Sequence, residues 1–176
     1  MIYRKQPNSG FSLIEVLIAL LVFSLGLIGL AGLLVMSTQA NHGAFIRTQA
    51  TFLAQNLADR MRANPVGLWN GDYDATWPVS GTEPACSSSS PCTPAQVALR
   101  DKLVWGRLLA GYLPDDSNLK TVVKCTANST GLTMSTYYKM QPPYNGICRM
   151  DITWTERSLA IGGSASNQTF SWTFQP

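Results

Sequence analysis

The sequence predicts an α+β fold: one long N-terminal helix laid on a small antiparallel β-sheet, with a second helix and a long loop. Three observations predict it. An uncharged apolar run spans Val16 to Met36; an apolar stripe at helical spacing continues to Met61; and after residue 117 apolar and polar residues alternate.

The apolar run is long enough to be a membrane helix, because a hydrocarbon core of about 30 Å needs about 20 residues at about 1.5 Å each. Its flanks are not those of a secretory signal. Arg4 and Lys5 are followed by Gly10 before the apolar stretch has begun, so a cut at Gly10 keeps the hydrophobic segment. Glu15 lies just inside that block, where a carboxylate costs about 2.5 to 3.5 kcal/mol at mid-membrane and less near the interface. Within the span, Gly26, Gly29 and Gly32 recur every three residues on a similar face and would let another helix approach closely.

Past Met36 the pattern becomes amphipathic. Phe45, Ile46, Gln49, Ala50, Leu53, Leu57 and Met61 recur at steps of three and four, while Arg47, Gln55, Asn56, Asp59, Arg60 and Arg62 fall elsewhere. No strong breaker precedes Asn64-Pro65, so the spacing predicts one helix from about Ser12 to Ala63, roughly 75 to 80 Å long. His42 and Gly43 mark the expected place for a bend, and His42 itself reads as a solvated helix residue.

From Pro65 to Pro94 the composition of Gly, Ser, Thr, Asp and Pro predicts a long ordered loop, pinned by Trp69, Tyr73 and Trp77. Thr93-Pro94 opens the second helix by cap and first-turn proline, with Val97, Leu99, Leu103, Val104, Leu108 and Leu109 as its apolar face, and Tyr112-Leu113-Pro114 ends it. Period-two alternation over residues 132–140, 150–155 and 170–174, with 120–126 as a further segment, predicts three or four antiparallel strands. One face of that sheet is expected to cover the amphipathic half of the long helix.

Composition narrows the function. Charged residues make up 13%, and the formal net charge of +3 falls to 3 − 2 = +1 once Arg4 and Lys5 are removed, which is no footprint for nucleic acid. A basic flank ahead of the first span stays cytoplasmic, so the N-terminus should face the cytoplasm and the remainder the periplasm or exterior. Cys86, Cys92, Cys125 and Cys148 all fall in that exported part, an even count that suggests two disulfides in one of three pairings; Cys86 with Cys92 and Cys125 with Cys148 is the favoured set. A zinc site is the less favoured alternative, since neither spacing resembles a paired-knuckle ligand set and His42 is distant in sequence. With one histidine, no glycine-rich phosphate loop and no glutamate after Glu83 except Glu156, the sequence offers no acid/base pair, no metal site and no cofactor site; the expectation is not an enzyme.

The leader ending at Gly10, followed by Phe11-Ser12-Leu13-Ile14-Glu15 and the apolar helix, resembles the class III signal of type IV pilins and type II secretion pseudopilins. The resemblance implies that a prepilin peptidase cuts after Gly10 and methylates the new Phe11 amine, and that Glu15 pairs with a neighbouring subunit's terminal amine. It divides the chain into a leader at 1–10, a membrane and assembly half at 11–36, and a periplasmic domain at 37–176. Further along, Ala54 to Asn64, then Asp101 and Trp105 ahead of Leu113-Pro114, then Ile152-Thr153-Trp154, resemble the type IV pilus modification protein PilV family of minor pilins. That resemblance implies a subunit of the inner membrane and then of the surface pilus, which helps to initiate assembly and sits near the tip. The implied partners are other minor pilins, the major pilin, the inner-membrane assembly platform and membrane lipid. A minor pseudopilin of type II secretion is the alternative. A tip adhesin gripping a surface through Trp69, Tyr73, Trp77 or the loop Ser87 to Ser90 is a third reading, although those aromatics read first as core.

Overall fold

A computed structural model describes residues 10–114, 118–127, 144–156 and 164–176. The chain forms two compact units, one up to Asn41 and one from His42 onward. The helix α1 (Leu13–Ala63) contributes to both and stays helical through His42 and Gly43. In the first unit no described side chain is buried, and the apolar residues from Val16 to Met36 stand open along the helix.

In the second unit the rest of α1 buries Ile46, Ala50, Leu53, Ala54, Leu57, Ala58 and Met61, a stripe at steps of three and four. Phe45, expected on this stripe, is exposed, because the stripe is centred on Ala50 and Leu57 and Phe45 lies on the far side with Phe52. Ala54 and Ala58 take part instead, their small side chains allowing neighbours close to the helix.

The segment expected as a loop from Pro65 to Pro94 holds two short elements, α2 (Pro65–Trp69) and β1 (Ala75–Trp77). Asn64 starts α2: its side-chain oxygen accepts from the Gly67 N–H at 3.2 Å, and Pro65 supplies the fixed φ of the first turn. Gly71, with φ of 76°, turns the chain toward β1, a conformation that glycine adopts without steric cost. A strand of three residues has too little alternation to read in sequence, and its partner strand defines it.

α3 (Pro94–Tyr112) begins with a reciprocal cap: Thr93 Oγ1 accepts from the Gln96 N–H at 3.3 Å, and Gln96 Oε1 accepts from the Thr93 N–H at 2.9 Å. Its buried residues are Ala98, Trp105 and Leu109, so of the apolar face expected for it only Leu109 is fully buried. The Trp105 indole donates to the Leu53 carbonyl of α1 at 2.8 Å and takes the centre of the helix contact, leaving the leucines and valines at its margins half-buried.

The sheet has the order β1-β2-β3-β4, antiparallel throughout, with β2 (Lys120–Thr126), β3 (Ile147–Glu156) and β4 (Ser166–Phe174). Alternate residues of β2 and β3, Thr121, Val123, Cys148, Met150, Ile152 and Trp154, are buried, and all of them but Thr121 share one cluster with the α1 stripe, Trp105 and Trp77. The fourth strand is β1 and comes from the supposed loop; the alternation over 132–140 lies outside the described residues. Cys125 and Cys148 face each other across β2 and β3 and are bonded, and Cys86 is bonded to Cys92.

Candidate assembly site

The first unit is built around a single acid on an apolar helix. The Ser12 carbonyl accepts from the Glu15 N–H at 3.0 Å and from the Val16 N–H at 3.3 Å, which starts α1 directly behind Gly10 and Phe11. Phe11 and Glu15 therefore lie one turn apart, and both line a shallow recess with Val16, Ala19, Leu20 and Phe23. Phe11 is 86% exposed. Below them, a Cβ placed on Gly26, Gly29 or Gly32 would meet nothing within 4 Å, so this side of the helix is open to a close neighbour. Among the described residues α1 is one helix long and apolar enough to cross a membrane, by length and composition. Such a surface can do two things: exchange lipid for other apolar helices, and offer one carboxylate to a cation brought in with them.

The second unit holds its part of α1 in place with a polar network that sequence reasoning missed. Arg60 Nη1 lies 3.1 Å from Asp101 Oδ1, and Tyr73 Oη donates to Asp101 Oδ2 at 2.8 Å. Asn64 Nδ2 donates to Tyr73 Oη at 3.2 Å and to the Pro94 carbonyl at 2.8 Å. One cluster thus joins α1, the turn before β1 and the start of α3. Burial raises the Tyr73 pKa well above the ordinary phenol value, helped by its bond to the Asp101 carboxylate, so the phenol stays protonated and donating. The sequence signal that was available is Asn64-Pro65, a cap followed by a first-turn proline.

Other ionisable groups tie loops and strands together. Glu83 accepts from Arg107 at 2.8 Å and sits 3.4 Å from Arg100, which ties the segment before Cys86 to α3; the Arg107 bond draws its pKa down. Arg149 does the same to Asp151 on β3, through a hydrogen bond of 2.9 Å. Burial raises the Tyr144 pKa, with the Asp74 charge adding to it.

Of the aromatics weighed as a gripping surface, Tyr73 and Trp77 are buried and Trp69 is half-buried against Tyr144, with ring centres 4.9 Å apart. Trp77 meets Trp105 edge-to-face at 4.9 Å, its indole donates to the Lys102 carbonyl at 3.0 Å, and a Cβ on Gly106 would come within 3.2 Å of its ring. These rings are core. Ser87 to Ser90 are exposed at the tip of the loop closed by Cys86 and Cys92, and hydrogen-bond to each other across it. Among the described residues no group of three His, Cys, Asp or Glu side chains is placed to hold a metal ion.

Comparison with known families bears on the first unit directly. Residues 5–31 match the prokaryotic N-terminal methylation motif, and residues 32–103 match the family described as type IV pilin Tt1218. The chain is thus similar to type IV pilins over one stretch and to the prepilin methylation motif over the stretch before it. No curated protein and no solved structure matches it. Pilins are structural subunits rather than enzymes, and a pilin with this signal implies processing by prepilin peptidase and association with other pilins. The apolar, exposed start of α1 agrees with a membrane-anchored pilin that later enters the pilus.

Proposed function

We propose that the chain is a minor pilin of the PilV kind, which joins other minor pilins and the major pilin at the inner-membrane assembly platform, helps to initiate the fibre and is carried near its tip. The observation that supports this reading best is the open apolar helix with one acid, Glu15, a single turn from Phe11, inside the matched methylation motif. In the proposed cycle, prepilin peptidase cuts between Gly10 and Phe11 and methylates the Phe11 amine. Residues 16–36 hold the subunit in the membrane, with the N-terminus in the cytoplasm and the domain from residue 37 in the periplasm. Glu15 then accepts the terminal ammonium of a neighbouring subunit. In lipid an unpaired carboxylate and an unpaired ammonium are each costly, so the pair forms preferentially where both are removed from water, and it sets the register of the two helices. The pilin match over residues 32–103 favours a pilus over a secretion system, whose minor pseudopilins share the signal.

Mass spectrometry of the N-terminus, from cells with and without their prepilin peptidase, tests the reading. The expected species begins at Phe11 and carries one methyl group only when the peptidase is present. A protein that still begins at Met1 in both strains, or begins beyond Met36, overturns it.

A further inference from the structure

Asparagine followed by glycine is prone to close on itself, because a residue without a Cβ lets its nitrogen approach the preceding side-chain amide. The sequence contains this pair twice, at Asn70-Gly71 and Asn145-Gly146, and the fold treats the two in opposite ways. Asn70 and Gly71 are exposed where α2 ends. Asn70 caps that helix with ψ of -11°, and Gly71, with φ of 76°, donates its N–H to the Leu68 carbonyl at 3.1 Å. Ring closure needs the peptide unit between them to rotate, which breaks that bond at the end of a five-residue helix. A single turn opens at little cost, and nothing lies within 4 Å of where a Gly71 Cβ would be.

Asn145-Gly146 is held instead. Gly146 is buried just ahead of β3; a Cβ on it would run into the Thr126 carbonyl and come within 2.7 Å of the Tyr144 ring, and the Asn145 side-chain oxygen is buried. The Tyr144 carbonyl beside them accepts from Gln175 Nε2 at 3.2 Å. Rotation there must displace the end of β2 or the buried Tyr144, which a close-packed interior resists.

We propose that Asn70 is a self-modifying site: in the folded chain Asn70-Gly71 deamidates to aspartate and isoaspartate while Asn145-Gly146 is protected, and the isoaspartate loosens the turn that carries Tyr73. The Gly71 nitrogen, after losing its proton to hydroxide, attacks Asn70 Cγ; the bond from Cγ to the side-chain nitrogen breaks, and ammonia leaves with a proton taken from water. Water then opens the five-membered imide at either carbonyl. One water is consumed, one ammonia is released, and nothing is oxidised or reduced. Opening at the main-chain carbonyl of residue 70 reroutes the backbone through the side chain and adds a methylene to it. That methylene lengthens the loop closed by the bond from the Asp72 N–H to the Gly67 carbonyl at 2.9 Å, and Tyr73, which donates to Asp101, follows directly.

The modification goes beyond the pilin reading and does not depend on it, so the N-terminal mass measurement and the following one fail separately. Full-length protein in detergent micelles is incubated at mildly acid and mildly alkaline pH, and its peptides are mapped by mass spectrometry, with isoaspartate distinguished by electron-transfer fragmentation. Conversion at Asn70 is expected to rise with hydroxide concentration and to run about tenfold or more faster than at Asn145, the factor being set by the cost of opening each site. In the reduced chain unfolded by guanidinium the two should convert at similar rates. Incubated wild type is expected to unfold at lower denaturant in proportion to its isoaspartate. Freshly prepared Asn70→Asp, which has the charge without the methylene, should match the fresh wild type, and Asn70→Gln, whose ring would be six-membered, should show neither conversion nor drift. Equal conversion at Asn70 and Asn145 in the folded protein, no conversion at Asn70 at alkaline pH, or a converted protein that unfolds like the fresh one overturns the proposal.

Discussion

Two stretches of the same helix differ in everything except their backbone. From Leu13 to Asn41 α1 buries no described side chain, and Leu, Ile, Val and Phe stand open along it; from His42 to Ala63 it buries a stripe under α3 and the sheet. In the first stretch apolar residues occur all round and charge is confined to Glu15; in the second, Arg47, Asp59 and Arg62 mark the face turned from the core. An all-round apolar helix needs an apolar solvent or other helices, whereas a striped one needs a single packed face. The first stretch is thus specified by what lies outside the chain and the second by what lies within it. Substitutions should separate the two completely.

The largest separation is expected at Glu15. Glu15→Val removes the only charge of the first stretch, adds apolar surface, and leaves the domain's contacts untouched. Leader cleavage and the unfolding midpoint of the domain should match wild type, while incorporation into sheared fibres should fall by tenfold or more, read by immunoblot of fibre and membrane fractions. Wild-type incorporation would show that the carboxylate sets no register. The reciprocal case is Leu57→Ala, at a fully buried position of the second stretch. Truncating a leucine there should cost about 2 to 5 kcal/mol, seen as a lower denaturation midpoint with leader cleavage intact. Leu27→Ala, at an exposed position of the first stretch, is the control and should leave that midpoint within about 0.5 kcal/mol of wild type.

The two stretches were also unequally legible. The apolar run, the position of Glu15 and the long amphipathic pattern depend on local sequence alone, and the structure has one helix where that pattern predicts one. The direction of the stripe was less plain: Phe45 is as apolar as Ile46, yet Ile46 is buried and Phe45 is exposed, a choice made by the packing of the domain rather than by local sequence. The same holds for β1, whose three residues become a strand because β2 pairs with them, Ala75 with Val123 and Trp77 with Thr121. The network of Arg60, Asp101, Tyr73 and Asn64 joins residues up to 41 positions apart, and hydrogen-bond geometry over such separations leaves no periodic trace in the chain.

Within the second unit the disulfides give the next largest effect. Cys125 and Cys148 are 23 positions apart and link neighbouring strands of the core, whereas Cys86 and Cys92 are six apart in an exposed loop. On the chain-entropy account the longer loop contributes about 1 kcal/mol more, and Cys148 is buried besides. Replacing Cys125 and Cys148 together by serine should therefore lower the denaturation midpoint more than the same change at Cys86 and Cys92. An equal or reversed order would place the stabilising role in the loop.

The smallest effect concerns the outer face of the sheet. Arg149 holds the Asp151 carboxyl below its ordinary pKa, chiefly through the hydrogen bond between them. A depressed folded value means that the contribution is present above the unfolded value, near pH 4, and is lost as the pH falls through the folded one. The pair lies at the surface, so solvent screening keeps its contribution small. Asp151→Asn should accordingly be slightly less stable than wild type at pH 7, with the gap closing below about pH 4 as the native carboxylate is protonated. Added salt should shrink the same gap at neutral pH, because an exposed pair is screened and a packing defect is not. A gap that persists unchanged in acid and in salt would mean that Asp151 acts through its shape and its bond to Ser171 rather than through its charge.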